Sequence, residues 1–287
     1  MVVLVLVFAS APTAFGQVVQ AQGKVARDLV YRTVGGRNLT LDLYVPQITK
    51  AGDKLPVVVW IHGGAWRSGS KDRCPAVPLV DRGFAVASIS YRLTDEAIFP
   101  AQIHDCKAAI RWLRANAGRF SLDPSRIGAW GASAGGHLAA LLGTSGDVKE
   151  LEGGPDNLNY SSRVQAVCDY FGPTDFLRMN AEPGAMDHDA ADSPESVLIG
   201  GPIQKNPEKA AKASPITYVS ADDPPFLILH GDQDRTVLLN QSQLLHDALR
   251  KLGVRVRLGI VKGQGHGFTT SVDRTAFEFF QQTLAGK

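Results

Sequence analysis

The stretch Arg126-Ile127-Gly128-Ala129-Trp130-Gly131-Ala132-Ser133-Ala134-Gly135-Gly136-His137 constrains this chain more than any other. Its first half is a short apolar run behind Asp123-Pro124. Its second half is all small residues around one hydroxyl, followed by the helix-forming run Leu138 to Leu142. The pattern reads as strand, tight turn, helix. A serine on such a turn is pushed out of the main chain into open space, which demands a strained backbone. That backbone is tolerated only where the residues two before and two after the serine carry no Cβ, and here they are Gly131 and Gly135. The turn also leaves the amide of Ala134 at a helix N-terminus, where donors are unpaired and a developing negative charge is favoured.

A turn serine becomes a nucleophile only with help, and two further regions supply it. An acyl-transfer centre needs at least two preorganised N–H donors for its oxyanion. Leu55 to Ile61 is apolar on both faces, as expected of a strand buried between helix layers. It ends in His62-Gly63-Gly64-Ala65-Trp66, a loop of small residues whose amides can turn toward Ser133. Gly64 and Ala65 join Ala134 as expected oxyanion donors, Gly63 gives the turn its freedom, and His62 is read as a brace for the loop. The serine also needs a base, and the base needs a group that fixes its tautomer. Of seven histidines, His266 alone sits on a glycine-flanked loop after a late strand. His137 lies inside the helix that follows Ser133 and points the wrong way. Two acids follow the strand Pro225 to His230. Asp234 is preferred as the orienting residue, because Asp232 stands at the tight start of the turn and is placed to bond backbone N–H groups. Asp175 is the outsider.

The remaining chain alternates strands and helices. Asp28 to Thr33 and Leu39 to Val45 alternate apolar and polar residues around Gly35-Gly36-Arg37-Asn38, the pattern of an antiparallel hairpin at a sheet edge. Phe84 to Ser90 and Val164 to Phe171 read as buried strands, and Pro100 opens a helix with Ile103, Cys106, Ile110 and Leu113 at helical spacing. His104 and Asp105 within it are read as exposed or capping polar residues. Nothing between Gly172 and Pro215 reads as a strand, so Thr174 to Ser214 is expected to form a small helical cap over the nucleophile. Asp187-His188-Asp189 inside it is read as a solvated acidic loop rather than a metal site. A helix from about Gln241, a strand Val254 to Val261 and a final helix Val272 to Leu284 complete the pattern.

Composition narrows the partners. With 287 residues, 44% hydrophobic and 20% charged, the chain suffices for one large α/β domain over residues 17–287. The net charge of +2, with no basic run, gives no reason to expect nucleic acid. Val2 to Phe8 is an apolar run followed by small residues up to Gln17. Residues 1–16 therefore read as a secretory signal without a basic n-region, implying a secreted or periplasmic protein, and the run is too short to span a membrane as a stable helix. Cys74, Cys106 and Cys168 are too few and scattered for a disulfide framework or a zinc site, although a Cys74–Cys106 bridge stays open for an exported protein. No metal or organic cofactor is called for, and the oligomeric state is not written in the sequence.

Taken together, Gly131-Ala-Ser-Ala-Gly135, the His62 loop, the Asp234 loop and the His266 loop resemble the α/β-hydrolase superfamily from Asp28 to Lys287. The resemblance implies a mostly parallel central sheet with helices on both faces and a Ser133, Asp234, His266 triad. His62-Gly-Gly-Ala-Trp66, Gly131-Ala-Ser-Ala-Gly-Gly136, Tyr91-Arg92-Leu93 and Pro100-Ala-Gln look like the branch of bacterial feruloyl and acetyl-xylan esterases and hormone-sensitive-lipase-like carboxylesterases. His230-Gly-Asp-Gln-Asp234 is similar to the acid loop of the prolyl-oligopeptidase group, in which the second acid is catalytic. The expected activity is hydrolysis of short-acyl or hydroxycinnamoyl esters, free or linked to plant polysaccharide. Ala65 stands where the hormone-sensitive-lipase pattern has glycine, and His-Gly-Gly-x-Trp is also typical of arylformamidases. An arylformamidase or small amidase is therefore the alternative, and a non-catalytic binding member of the fold a more distant one.

Overall fold

The computed structural model describes residues 23–47, 52–180 and 186–285; the apolar N-terminal run and the expected signal segment lie outside them. In chain order, β1 (Gly23–Val34) and β2 (Arg37–Pro46) form a hairpin across Gly35-Gly36. They are followed by β3 (Leu55–Ile61), β4 (Ala85–Ile89), α1 (Ala101–Ala115), α2 (Ala117–Phe120), β5 (Leu122–Ala132) and α3 (Ala134–Thr144). Then come β6 (Ala166–Tyr170), the short helices α4 (Pro194–Ile199) and α5 (Pro207–Ala213), β7 (Phe226–Gly231), α6 (Leu239–Lys251), β8 (Val256–Val261) and α7 (Thr270–Leu284).

One eight-stranded sheet runs in the order β1-β2-β4-β3-β5-β6-β7-β8. Among the described residues, the hairpin supplies the antiparallel pairings, β1 with β2 and β2 with β4, and the other strands pair in parallel. It is the doubly covered α/β-hydrolase sheet that the sequence implies, with β3 and β7 buried along their whole length. One face packs against α1, α3 and α6 through residues such as Ile103, Ile110, Leu138, Leu141 and Leu245. The other face is covered by α7, where Trp130 lies fully buried and edge-on to Trp60, Tyr170 and Phe277. Rings of this size bury about 150–250 Å² each, so this cluster is a large part of what seats α7.

Strand order also decides which loops meet. β3 and β5 are neighbours in register, with Ile61 opposite Gly131, so the loops leaving their C-terminal ends lie side by side. The β7 and β8 loops emerge from the same edge, as expected for parallel strands whose ligands bind beyond their carboxyl ends.

Two expectations need correction. Asp105 is neither exposed nor a cap: it is fully buried. Its carboxylate accepts from Arg32 at 2.9 Å, from the Arg92 side chain at 2.8 Å twice, and from the Arg92 amide at 3.0 Å. Helical spacing placed it on an α1 face that the β1 hairpin and the chain after β4 cover. The Cys74–Cys106 bridge is not formed. All three cysteines are free, and these two pack into the apolar layers on opposite faces of the sheet. Replacing Asp105 with alanine is expected to strand two arginines without their anion and to lower the unfolding free energy by about 3–5 kcal/mol in a denaturant titration.

Candidate active site

The turn between β5 and α3 holds Ser133 at φ 56° and ψ −122°, a conformation that costs a non-glycine residue of order 1–3 kcal/mol. The surrounding structure enforces it. The Ser133 amide donates to Tyr170 O at 2.8 Å, and Ser133 O accepts from the His137 amide at 2.9 Å. The two glycines are sterically required: a Cβ on Gly131 would lie 2.1 Å from Gly135 O, and one on Gly135 would lie 2.0 Å from Ile61 O.

His266, on the loop between β8 and α7, faces the hydroxyl with Nε2 2.8 Å from Ser133 Oγ. Its Nδ1 lies 2.7 Å from Asp234 Oδ2. The Phe171 ring packs beside the imidazole at 4.7 Å between centroids, and Phe171 is itself held at a positive φ of 43°. The second Asp234 oxygen accepts from the amides of Thr236 at 2.9 Å and Val237 at 3.0 Å. Burial by itself would raise the Asp234 pKa, but the hydrogen bonds from His230 and His266 more than reverse that and hold the carboxyl below the ordinary range. It is therefore an anion wherever the fold is stable. Asp232, the competing acid, accepts from the Gly263 amide at 2.7 Å and ties the β7 loop to the β8 loop. Asp175 is half-buried on the β6 loop, and its amide donates to Gln241 at 2.8 Å.

The loop after β3 lies against the serine turn, so close that a Cβ on Gly63 would meet Ala132 O at 2.7 Å. Gly64, Ala65 and Trp66 all have positive φ, at 110°, 56° and 55°. Among the described residues, the amides of Gly64, Ala65 and Ala134 donate to no backbone acceptor outside the regular elements. His62 braces this loop as expected: it is buried, stacked on Tyr91 at 4.4 Å, and its carbonyl accepts from the Tyr91 hydroxyl at 2.9 Å.

Several participants escape sequence reasoning. Trp66 donates its indole N–H to His137 Nδ1 at 3.2 Å, and His137 Nε2 lies 2.7 Å from Ala213 O. The carbonyl can only accept, so Nε2 carries the proton. Burial lowers the ring's pKa to about 4 and keeps it neutral, which preserves Nδ1 as the acceptor for Trp66. His230 is fully buried, with Nε2 2.8 Å from Val237 O and 3.3 Å from Asp234 Oδ2. The reading of Asp187-His188-Asp189 as a solvated loop is overturned for its middle residue. His188 is buried between Glu195 and Thr236 O, because the chain from β6 to β7 folds back onto the β7 loop. Arg67 also reaches that chain, bonding the carbonyls of Asp192 and Ser193. Spacing carries no signal for Trp66 with His137, His137 with Ala213, His188 with Thr236 or Arg67 with Ser193, whose partners lie 48 to 126 residues apart. An apolar cavity of about 610 Å³ sits between the start of α1 and the α4–α5 region, away from the serine.

The chain is similar to known proteins. Esterase LipQ of Mycobacterium tuberculosis is 36% identical over 223 residues, covering 76% of this chain and 51% of LipQ, so the chain spans about half the length of the curated relatives it matches. A truncated form of a carbohydrate esterase from gut microbiota superposes with a TM-score of 0.84 at 34% identity, over 95% of this chain and 100% of that one. A bifunctional GH43-CE protein of Bacteroides eggerthii gives a TM-score of 0.82 at 39% identity, over 91% of this chain and 38% of that one. The BD-FAE family model matches residues 41–249, from within β2 to the end of α6. With most of its sheet inside that match, the chain belongs to the BD-FAE family, an esterase-like branch of the α/β-hydrolases.

Proposed function

We propose that this chain is a serine carboxylesterase that cleaves short-acyl or hydroxycinnamoyl esters, including acetyl and feruloyl groups on plant polysaccharide, through an acyl-enzyme. The observation that carries the reading is the unbroken line from Ser133 Oγ through His266 to Asp234, at 2.8 and 2.7 Å, on a strained turn beside the amides of Gly64, Ala65 and Ala134.

In this reading Ser133 Oγ attacks the ester carbonyl while His266 Nε2 takes its proton. Asp234, already ionised, holds Nδ1–H and stabilises the imidazolium. The tetrahedral oxygen sits among the amides of Gly64, Ala65 and Ala134, which need no rearrangement as charge develops. His266 then gives its proton to the leaving alcohol as the C–O bond breaks. A water attacks the acyl-serine by the same route, with His266 taking its proton and returning one to Ser133, which frees the acid. The segment from Thr174 to Ser214 acts as the cap that bounds the acyl and alcohol pockets. The polysaccharide part of the proposal is supported by the carbohydrate-esterase names of the two structural relatives, and requires no ionic recognition.

The test is release of p-nitrophenol from p-nitrophenyl acetate, followed by acetylated xylan and methyl ferulate, with N-formylkynurenine as the amide control. Ser133→Ala should lose on the order of 10⁶ in turnover and Asp234→Asn about 10⁴. Turnover of the formamide alone would replace the ester reading. Trp66→Phe keeps the ring but removes the donor to His137; a lost hydrogen bond of about 1–2 kcal/mol at the oxyanion loop predicts a kcat roughly tenfold lower with KM nearly unchanged.

A further inference from the structure

His188 stands outside the serine centre, yet its surroundings tie it to Asp234. The ring is buried, with Nδ1 3.0 Å from Glu195 Oε2 and Nε2 2.9 Å from Thr236 O. A carboxylate and a carbonyl can only accept, so both ring nitrogens must donate, and the residue that satisfies both is an imidazolium. The peptide unit that receives it joins Thr236 to Val237. Its carbonyl accepts from His188, and the N–H of the same unit donates to Asp234 Oδ1 at 3.0 Å. A proton donated to the carbonyl polarises the peptide and strengthens its N–H as a donor to the carboxylate.

We infer that His188, clamped by Glu195 onto the Thr236 carbonyl, is a positioning residue that holds the Asp234 carboxylate through the single peptide unit 236–237. The inference deepens the esterase reading and rests on it for its meaning. It ties the residues from His188 to Glu195 to the acid loop. Arg67 at Asp192 and Ser193, and His137 at Ala213, also hold the segment between β6 and β7, and both reach the oxyanion side. His188 reaches the acid side.

The clamp depends on charge. Burial disfavours the imidazolium, but the Glu195 hydrogen bond and charge more than offset it and keep the ring protonated to higher pH than an ordinary histidine. The titratable groups that face it are Glu195 from α4, Asp187 from its own loop and, one peptide beyond, Asp234 from the β7 loop. Because the folded pKa is raised, the clamp is complete below the ordinary histidine range and is released as pH rises through the raised value. The neutral ring keeps one N–H for two acceptors, so a lone pair must face either the Glu195 carboxylate or the Thr236 carbonyl, and the clamp is lost at one end.

Four proteins decide the matter: wild type, His188→Ala, His188→Gln and Glu195→Gln, each with its folded fraction checked by circular dichroism. Hydrolysis of p-nitrophenyl acetate is followed from pH 6 to 10, beside the rate at which a fluorophosphonate probe labels Ser133. His188→Ala should lower kcat at least tenfold with KM within about twofold. His188→Gln, which still offers an N–H to the carbonyl, should recover part of that loss. Wild-type kcat should fall on the alkaline side; His188→Gln, which has no titrating ring, should lack that fall, and Glu195→Gln, which leaves the ring without its carboxylate, should move it to lower pH. An unchanged kcat in His188→Ala, a loss that merely follows its folded fraction, or one alkaline limb shared by wild type and both glutamine variants would overturn the inference. Were no ester turned over by wild type, the esterase reading would fail separately, and the labelling rates would still compare the four proteins.

Discussion

Gly135 has no room for a side chain, and much of the molecule follows from that. A Cβ at this position would lie 2.0 Å from Ile61 O and 2.6 Å from His62 O, so the first turn of α3 is driven directly against the end of β3. The contact is available because β3 and β5 are adjacent in the sheet. It brings the amides of the β3 loop and the amide of Ala134 to one point. It also forces Ser133 to a positive φ, which lifts the hydroxyl clear of the backbone toward the loops of β7 and β8. The strained residues Ala65, Trp66, Ser133 and Phe171 all stand around this point. Strain gathered in this way needs a rigid frame, and the sheet supplies it.

Much of the remaining order comes from buried imidazoles. His62 stacks on Tyr91 under the oxyanion loop, His137 passes a hydrogen bond from Trp66 to Ala213, and His230 leans on Asp234 while its Nδ1 meets Ser242 at 2.7 Å. His188 joins α4 to the β7 loop. His137, His230 and His188 each bond through both ring nitrogens, so one side chain can link two segments of the chain. His266 differs in that about a fifth of its side chain remains open to solvent.

The legible part of the sequence was the part governed by local sterics and chain order. Glycines flanking Ser133 announce the turn, and a glycine-flanked histidine after the last strand stands out among seven. Asp234 could be separated from Asp232 because the first residue of a tight turn is committed to backbone amides, and Asp232 does bond Gly263. Runs apolar on both faces located β3 and β7, and a Gly-Gly turn located the hairpin. What stayed hidden was pairing at a distance. Asp105 has no neighbour in sequence that predicts burial; its partner Arg32 is 73 residues away. His188 looked solvated because it is flanked by two aspartates, while its own partners are Glu195 on the next helix and a carbonyl 48 residues downstream. Side chains that meet only after the sheet is assembled leave no periodic trace.

Two attachments of the β6–β7 segment on the oxyanion side share a chemical detail. Arg67 grips the carbonyls of Asp192 and Ser193, and His137 meets the carbonyl of Ala213. On these contacts the donors belong to the frame around the serine and the acceptors are main chain of the segment. Every amino acid supplies a carbonyl oxygen. Side chains at Asp192 and Ala213 can therefore be exchanged without removing a handhold, so pocket shape can drift, or be redesigned, on a segment whose grip on the oxyanion side is independent of its own sequence. In the proposed esterase, recognition of the substrate and assembly of the serine centre would thereby be largely uncoupled on that side.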